Sequence, residues 1–164
     1  MEIIYYPIGC IHSPFTSLRG MPIQPKGAPE VEGWIEIYPQ FREGLHDLDG
    51  FSHIYVLCHL HRHSGYKLMV TPFLDTVQRG LFATRAPNRP NSIGLSVLQL
   101  KAVTSDGLVV MGVDLLDGTP VLDIKPYVPA FEESEQVRCG WLEDKAERAV
   151  DQQSDGRFST TDEK

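Results

Sequence analysis

No stretch of this 164-residue chain approaches the roughly 20 consecutive apolar residues that a membrane-crossing helix needs, and acidic Glu2 stands where a secretory leader would be basic. Cysteine is scarce: Cys10, Cys58 and Cys139 lie far apart and form no Cys-x-x-Cys pair. A disulfide framework and a zinc ribbon are thereby disfavoured, and reduced, structural thiols in a cytoplasmic protein are expected. A Gly-x-Gly-x-x-Gly loop between strand and helix is also lacking, which argues against a Rossmann-type nucleotide grip. Positive charge is short, with 15 Lys and Arg against 22 Asp and Glu and a net charge of −7. General affinity for polyanions is unfavoured on that count. The deficit is uneven, however. Residues 1–129 hold 12 acids and 10 Lys and Arg (−2), whereas residues 130–164 hold 10 and 5 (−5). Local patches in the first part therefore matter more than the total.

What the chain does have is short β-branched runs separated by Gly, Pro, Asn and Asp. Candidate strands cover residues 3–11, 33–37, 52–60, 67–70, 79–84, 95–103, 108–113 and 121–125, with a hairpin signal at Ser105-Asp106-Gly107 and a helical turn over 39–45. Helical periodicity is missing before residue 130. Many short strands without intervening helices predict a mainly β fold, a single closed or nearly closed antiparallel barrel. The expected division is a barrel domain over 1–129 and an acidic extension over 130–164. In the extension a short helix covers 141–150, and residues 152–164 are without fixed structure.

Three segments carry chemistry. Residues 79–94 run from an apolar piece (Leu81, Phe82, Ala83) into a loop where Pro87 and Pro90 lie beside Arg85, Arg89 and Asn91. Proline fixes its own torsion and pushes the preceding residue toward extended geometry, so the loop is stiffened before any ligand arrives. Residues 114–129 place the turn Asp117-Gly118-Thr119-Pro120 between two apolar runs, with Asp123 and Lys125 on one face of the strand that follows. In the middle, His53, His59, His61 and His63 fall on alternate positions of a strand and its exit. Imidazoles so spaced suit a transition metal only if another ligand joins them, and a polar barrel mouth is the simpler reading. Residues 16–32, rich in Gly and Pro, form a long loop of the kind that is often functional.

In order along the chain, Ile8-Gly9…Ile11…Ser13-Pro14-Phe15, Phe51-Ser52-His53…His61, Gly80-Leu81-Phe82-Ala83-Thr84-Arg85…Arg89-Pro90-Asn91…Ile93-Gly94-Leu95-Ser96 and Asp114-Leu115…Asp117-Gly118-Thr119-Pro120-Val121…Asp123-Ile124-Lys125-Pro126-Tyr127 resemble the TrmO (TsaA-like) tRNA methyltransferases. The likeness covers roughly residues 3 to 129. It implies a β-barrel enzyme that moves a methyl group from S-adenosylmethionine to N6 of N6-threonylcarbamoyladenosine, just 3′ of the anticodon in threonine tRNA. Carried over by the resemblance, the cofactor contacts are Gln24-Pro25-Lys26, His61-Arg62, Arg85, Leu95 and Asp117-Gly118-Thr119-Pro120. In such a site Arg85 would bind the cofactor carboxylate, Leu95 would cover the purine, and Asp117 would accept from hydroxyl or amino groups. Candidates to hold the substrate base or take its proton are Asn91, Tyr127 and Asp123, with Arg89 and Lys125 facing RNA phosphate or the threonyl carboxylate. A homodimer would present more surface to a tRNA.

The sequence departs from the family pattern at three places: Leu81 for a smaller apolar residue, Ala86 and Ser92 for Ser and Pro in the proline loop, and Ile23 for Arg. Two competing readings are a metal-dependent small-molecule enzyme built on His59, His61 and His63, and a non-catalytic barrel that only binds S-adenosylmethionine.

Overall fold

The structure, a computed structural model, describes residues 1–132 and 136–159. Six strands close into an antiparallel barrel: β1 (Gly9–His12), β2 (Glu32–Ile37), β3 (His53–His59), β6 (Ile93–Val103), β7 (Gly107–Met111) and β8 (Pro120–Pro126). Around the barrel the order is β1-β2-β7-β6-β3-β8, with β8 returning to β1. Two short strands, β4 (Met69–Val70) and β5 (Arg79–Gly80), form a separate ribbon.

Alternation along the strands fills the interior. On β3, Ile54, Val56 and Cys58 are fully buried, while His53, Tyr55 and Leu57 keep partial exposure on the outer face. Ile11, Ile35, Ile37, Leu98, Leu108, Val110 and Val121 complete the same core. Closing so small a barrel brings backbones together. A side chain at Gly9 would overlap the Glu36 carbonyl, and one at Gly107 the Ile35 carbonyl. The long strand β6 serves two partners: residues 93–99 pair with β3 and residues 99–103 with β7. A register shift between Leu100 and Ala102 bends it at that corner. The predicted hairpin joins β6 to β7, where Thr104 Oγ1 donates to Asp106 Oδ1 (2.9 Å) and accepts from Gly107 N (3.0 Å).

Several expected elements come out differently. The first strand starts only at Gly9, because Ile3, Ile4, Tyr5 and Tyr6 have no neighbouring strand and stay exposed. The strand expected over 79–84 stops after Gly80 and becomes a 3₁₀ turn, Leu81–Ala83, that buries Leu81. The one α-helix among the described residues is Pro129–Glu132; residues 141–150 hold two 3₁₀ turns, Gly140–Leu142 and Ala146–Val150, in place of a helix. Separate anchors explain the break. Trp141 Nε1 donates to the Ala83 carbonyl (2.7 Å), and Lys145 reaches Asp75 (3.0 Å). Residues 152–159, expected to lack fixed structure, lie against the domain as well. Ser154 N donates to Met21 O (2.8 Å), Arg157 Nη1 to Pro72 O (3.0 Å), and Phe158 meets Phe73 edge-on at 5.0 Å. Residues 160–164, for which disorder is also expected, lie outside the described residues.

Asp75 is the tie between the β4–β5 ribbon and this C-terminal segment. It accepts from Arg79 Nε (3.0 Å) and Nη2 (2.8 Å) and pairs with Lys145. Arg79 first, and Lys145 second, hold its carboxyl well below the ordinary carboxylate range.

Two outcomes follow for stability. Leu98→Ala removes a fully buried side chain from the barrel centre and costs about 2–5 kcal/mol, read from chemical denaturation. Asp75→Asn lowers the thermal midpoint at neutral pH. A depressed carboxyl contributes stability above its unfolded value and loses it under acid, so the gap to wild type closes as pH falls below about 4.

Candidate active site

Antiparallel pairing puts the ends of β3 and β7 and the starts of β6 and β8 at one mouth of the barrel. A cavity of about 980 Å³ opens there. Its floor is the barrel mouth itself: Leu60, Gly94, Ser96, Asp114, Leu115 and Thr119. Its walls are the long loop (Gln24, Pro25, Lys26), the exit of β3 (His61, Arg62), the proline loop (Arg85, Arg89) and the C-terminal segment (Trp141, Phe158). Barrel mouths are common ligand sites, and this volume lies in the range that encloses a small organic ligand.

The proline loop holds its shape through its own hydrogen bonds. Leu81 and Ala86 are buried beneath it, and Thr84 Oγ1 donates to Leu81 O (2.8 Å) while accepting from Ala86 N (3.2 Å). Arg89 Nη1 braces the loop against Thr84 O (3.1 Å) and Ala86 O (3.3 Å), and its guanidinium lies 5.7 Å from the Phe82 ring centre. Arg85 is left at the cavity, where Nη1 donates to Gln24 Oε1 (3.3 Å) across the opening. Leu95 turns outward from β6 and stays 51% exposed, so it is available to an apolar ligand surface rather than spent on the core.

The predicted site residues therefore divide. Gln24, Pro25, Lys26, His61, Arg62, Arg85, Arg89, Leu95 and Thr119 line one cavity although they come from distant parts of the chain. Of the 117–120 turn only Thr119 faces it, buried, with Oγ1 donating to Leu116 O (2.7 Å). Asp117 points to a shallow depression of about 390 Å³ beside His12 and Trp34, where it accepts from Ser13 N (3.1 Å). Gly118 supplies the positive φ of the turn, and Pro120 pairs with Cys10. Asn91, Asp123, Lys125 and Tyr127 are not among the cavity-lining residues. Asp123 and Lys125 pair with each other at 2.8 Å, and Tyr127 meets Tyr55 edge-on at 5.4 Å on the outer face of the sheet.

Two residues at the floor stand in the family motifs, but the sequence assigned them no role. Ser96 is buried and donates to Asp114 Oδ1 at 2.7 Å. Asp114 keeps a face toward the cavity while protein surrounds the rest of it. Burial pushes its carboxyl up to about 6, against the opposing pull of Ser96, its own backbone N–H and Arg85. The neighbouring Cys58 thiol rises to about 12, from burial first and the Asp114 charge second. A signal was present in the sequence: Asp114 is an acid closing the apolar run 108–113. His59, His61 and His63 do not gather. His59 is exposed at the strand end, His63 Nδ1 meets Asn88 Oδ1 (2.8 Å), and among the described residues no three His, Cys, Asp or Glu are placed to hold a metal ion. The arrangement suits a ligand with an anionic group, an apolar body and a group that offers a proton.

Known proteins share this chain's sequence and barrel. The profile of the tRNA-methyltransferase O N-terminal domain matches residues 10–133. A protein of Pyrococcus abyssi, named "Probable S-adenosyl-L-methionine-binding protein", is 49% identical over 158 residues, covering 96% of this chain and 86% of that one. The mouse tRNA (adenine(37)-N6)-methyltransferase is 36% identical over 143 residues, which are 83% of this chain and 33% of the mouse protein. The crystal structure of TrmO from Pseudomonas aeruginosa superposes with a TM-score of 0.72 at 40% identity, over 86% of this chain and 63% of that one. The chain thus spans less than two thirds of the solved TrmO and about a third of the mouse enzyme. With most of its barrel inside the matched domain, it belongs to the tRNA-methyltransferase O family.

Proposed function

We propose that this chain is an S-adenosylmethionine-dependent tRNA methyltransferase that methylates N6 of N6-threonylcarbamoyladenosine beside the anticodon of threonine tRNA. The observation that carries the reading is the single cavity joining Gln24, Lys26, His61, Arg62, Arg85, Leu95 and Thr119 at the barrel mouth. The relatives' names support it, one for the cofactor and one for the modified nitrogen.

The residues present fit the cofactor. Arg85, already oriented by Gln24, offers a fork of N–H donors to a carboxylate. Leu95 and Leu60 give the purine an apolar slot. When bound, S-adenosylmethionine supplies the reactive methyl group; the protein's task is to align the nitrogen with it and exclude water. A stiff proline loop does this at little ordering cost. The protein works in the cytoplasm as a homodimer, which presents more surface to a tRNA. Among the described residues no helix is long and apolar enough to cross a membrane.

The test is methyl transfer from labelled cofactor to threonine tRNA with and without the threonylcarbamoyl group, read by mass spectrometry of the nucleosides. The expected product is N6-methyl-N6-threonylcarbamoyladenosine, formed only on the modified tRNA. Tight cofactor binding with no transfer to either tRNA would leave a binding barrel and sink the proposal. Arg85→Ala weakens cofactor binding by roughly 10- to 100-fold in calorimetry, the range expected for a lost charged hydrogen-bond pair.

A further inference from the structure

We propose that Asp114 accepts the proton of the nitrogen being methylated and that Ser96 is the positioning residue that holds its carboxylate; the inference rests on the methyl-transfer reading. The nitrogen of a threonylcarbamoyl-adenosine carries one hydrogen and shares its lone pair with both the ring and the carbamoyl group. It is therefore a poor nucleophile, and methylation without proton loss would leave a cation. A base within reach removes that penalty.

The floor of the cavity is built for such a base. Ser96 projects inward from β6, buried, and its hydroxyl donates to one Asp114 oxygen at 2.7 Å. Asp114 sits on the turn between β7 and β8 and lines the same cavity as Arg85 and Leu95. The ionisable group that acts on it is Arg85 from the proline loop; the Asp114 charge itself acts on the Cys58 thiol on β3, and His61 and Arg62 stand on the wall of that cavity. The thiol, pushed to about 12, stays protonated and does not compete for the proton. In the step, the N6 lone pair forms the new nitrogen–carbon bond as the carbon–sulfur bond breaks, its electron pair remaining on sulfur. The N6 proton passes to the Asp114 carboxylate, which returns it to solvent after product release.

Energetics separate this role from a structural one. Burial raises the Asp114 carboxyl to about 6, above its unfolded value, so the folded state favours the protonated form. Its contribution to stability is fully present below the unfolded value and is lost as pH rises through about 6. An ionised Asp114 at neutral pH therefore costs the fold stability, which is common for groups kept for activity.

The experiment is single-turnover methyl transfer by the full chain with saturating cofactor and threonylcarbamoylated threonine tRNA, for wild type, Asp114→Asn and Ser96→Ala, across pH 5 to 9. Asp114→Asn is expected to slow transfer by roughly 10²- to 10⁴-fold, with cofactor affinity changed by less than about threefold. Its thermal midpoint at pH 8 should be equal to or above wild type. The wild-type rate falls on the acid side of about 6, and Ser96→Ala, which removes a bond to the charged form, moves that limb to higher pH. Near-wild-type turnover in Asp114→Asn overturns the proposal, and so does a loss of cofactor affinity that matches the loss of rate. An acid limb unmoved by Ser96→Ala also counts against it, and that result does not depend on how the Asp114 variant folds. Wild type that binds cofactor but transfers nothing at any pH removes the methyl-transfer reading itself, and this inference with it.

Discussion

The barrel closes through a short backbone seam. Gly9 and Cys10 pair with Val121 and Pro120, Ile11 N donates to Thr119 O (2.9 Å), and Gly118 N donates to Ile11 O (2.9 Å). The seam removes the exposed edges that β1 and β8 would otherwise present. It also fixes the turn before β8 against the first strand, which is why Thr119 faces the cavity while Asp117 is carried to the opposite side. No side chain at Gly9 could pass the Glu36 carbonyl, so the approach of the strands depends on that glycine. The position of Asp114 is set by the same closure, since it lies on the turn that β7 and β8 hold at the mouth.

The walls are less central but equally specific. Four loops reach the mouth from distant points in sequence, and each is held by local bonds before any ligand binds. The proline loop is braced by Thr84 and Arg89, and the C-terminal segment is tied by Trp141, Lys145 and Arg157. Such pre-ordering lets the binding energy go into alignment instead of folding a loop. The C-terminal segment falls outside the matched family domain, which ends at residue 133, yet it contributes Trp141 and Phe158 to the cavity wall.

Legibility in the sequence followed the range of the forces involved. Alternating residues such as Ile54, Val56 and Cys58 announce a half-buried strand locally, and Ser105-Asp106-Gly107 announces its hairpin, so the mainly β barrel could be read directly. Strand limits could not. Residues 3–7 have the composition of a strand, but a strand exists only where a partner offers hydrogen bonds, and those end at Ile8, which bonds Val121 O and Tyr38 N just before β1 begins. Arg85, Leu95 and His61 could be placed in one site through the family motif. Their convergence with Ser96 and Asp114 depends on closure, which no local pattern encodes. Arg89 shows the opposite case. It looked like a ligand contact, and part of its guanidinium is instead committed to the carbonyls of its own loop.

Charge placement reconciles an acidic chain with a polyanionic partner. Much of the net −7 belongs to the C-terminal extension, two of whose cations are turned to the protein: Lys145 to Asp75, and Arg157 to Asp155 and the Pro72 carbonyl. Glu143, Asp144 and Glu147 stay exposed on the same segment. Lys26, Arg62 and Arg85, by contrast, line the cavity. Within the roughly 8–10 Å over which salt leaves such fields effective, these three cations offset the exposed acids of the segment packed beside them. The segment therefore closes one side of the pocket in two senses, by volume through Trp141 and Phe158 and by field through its acids.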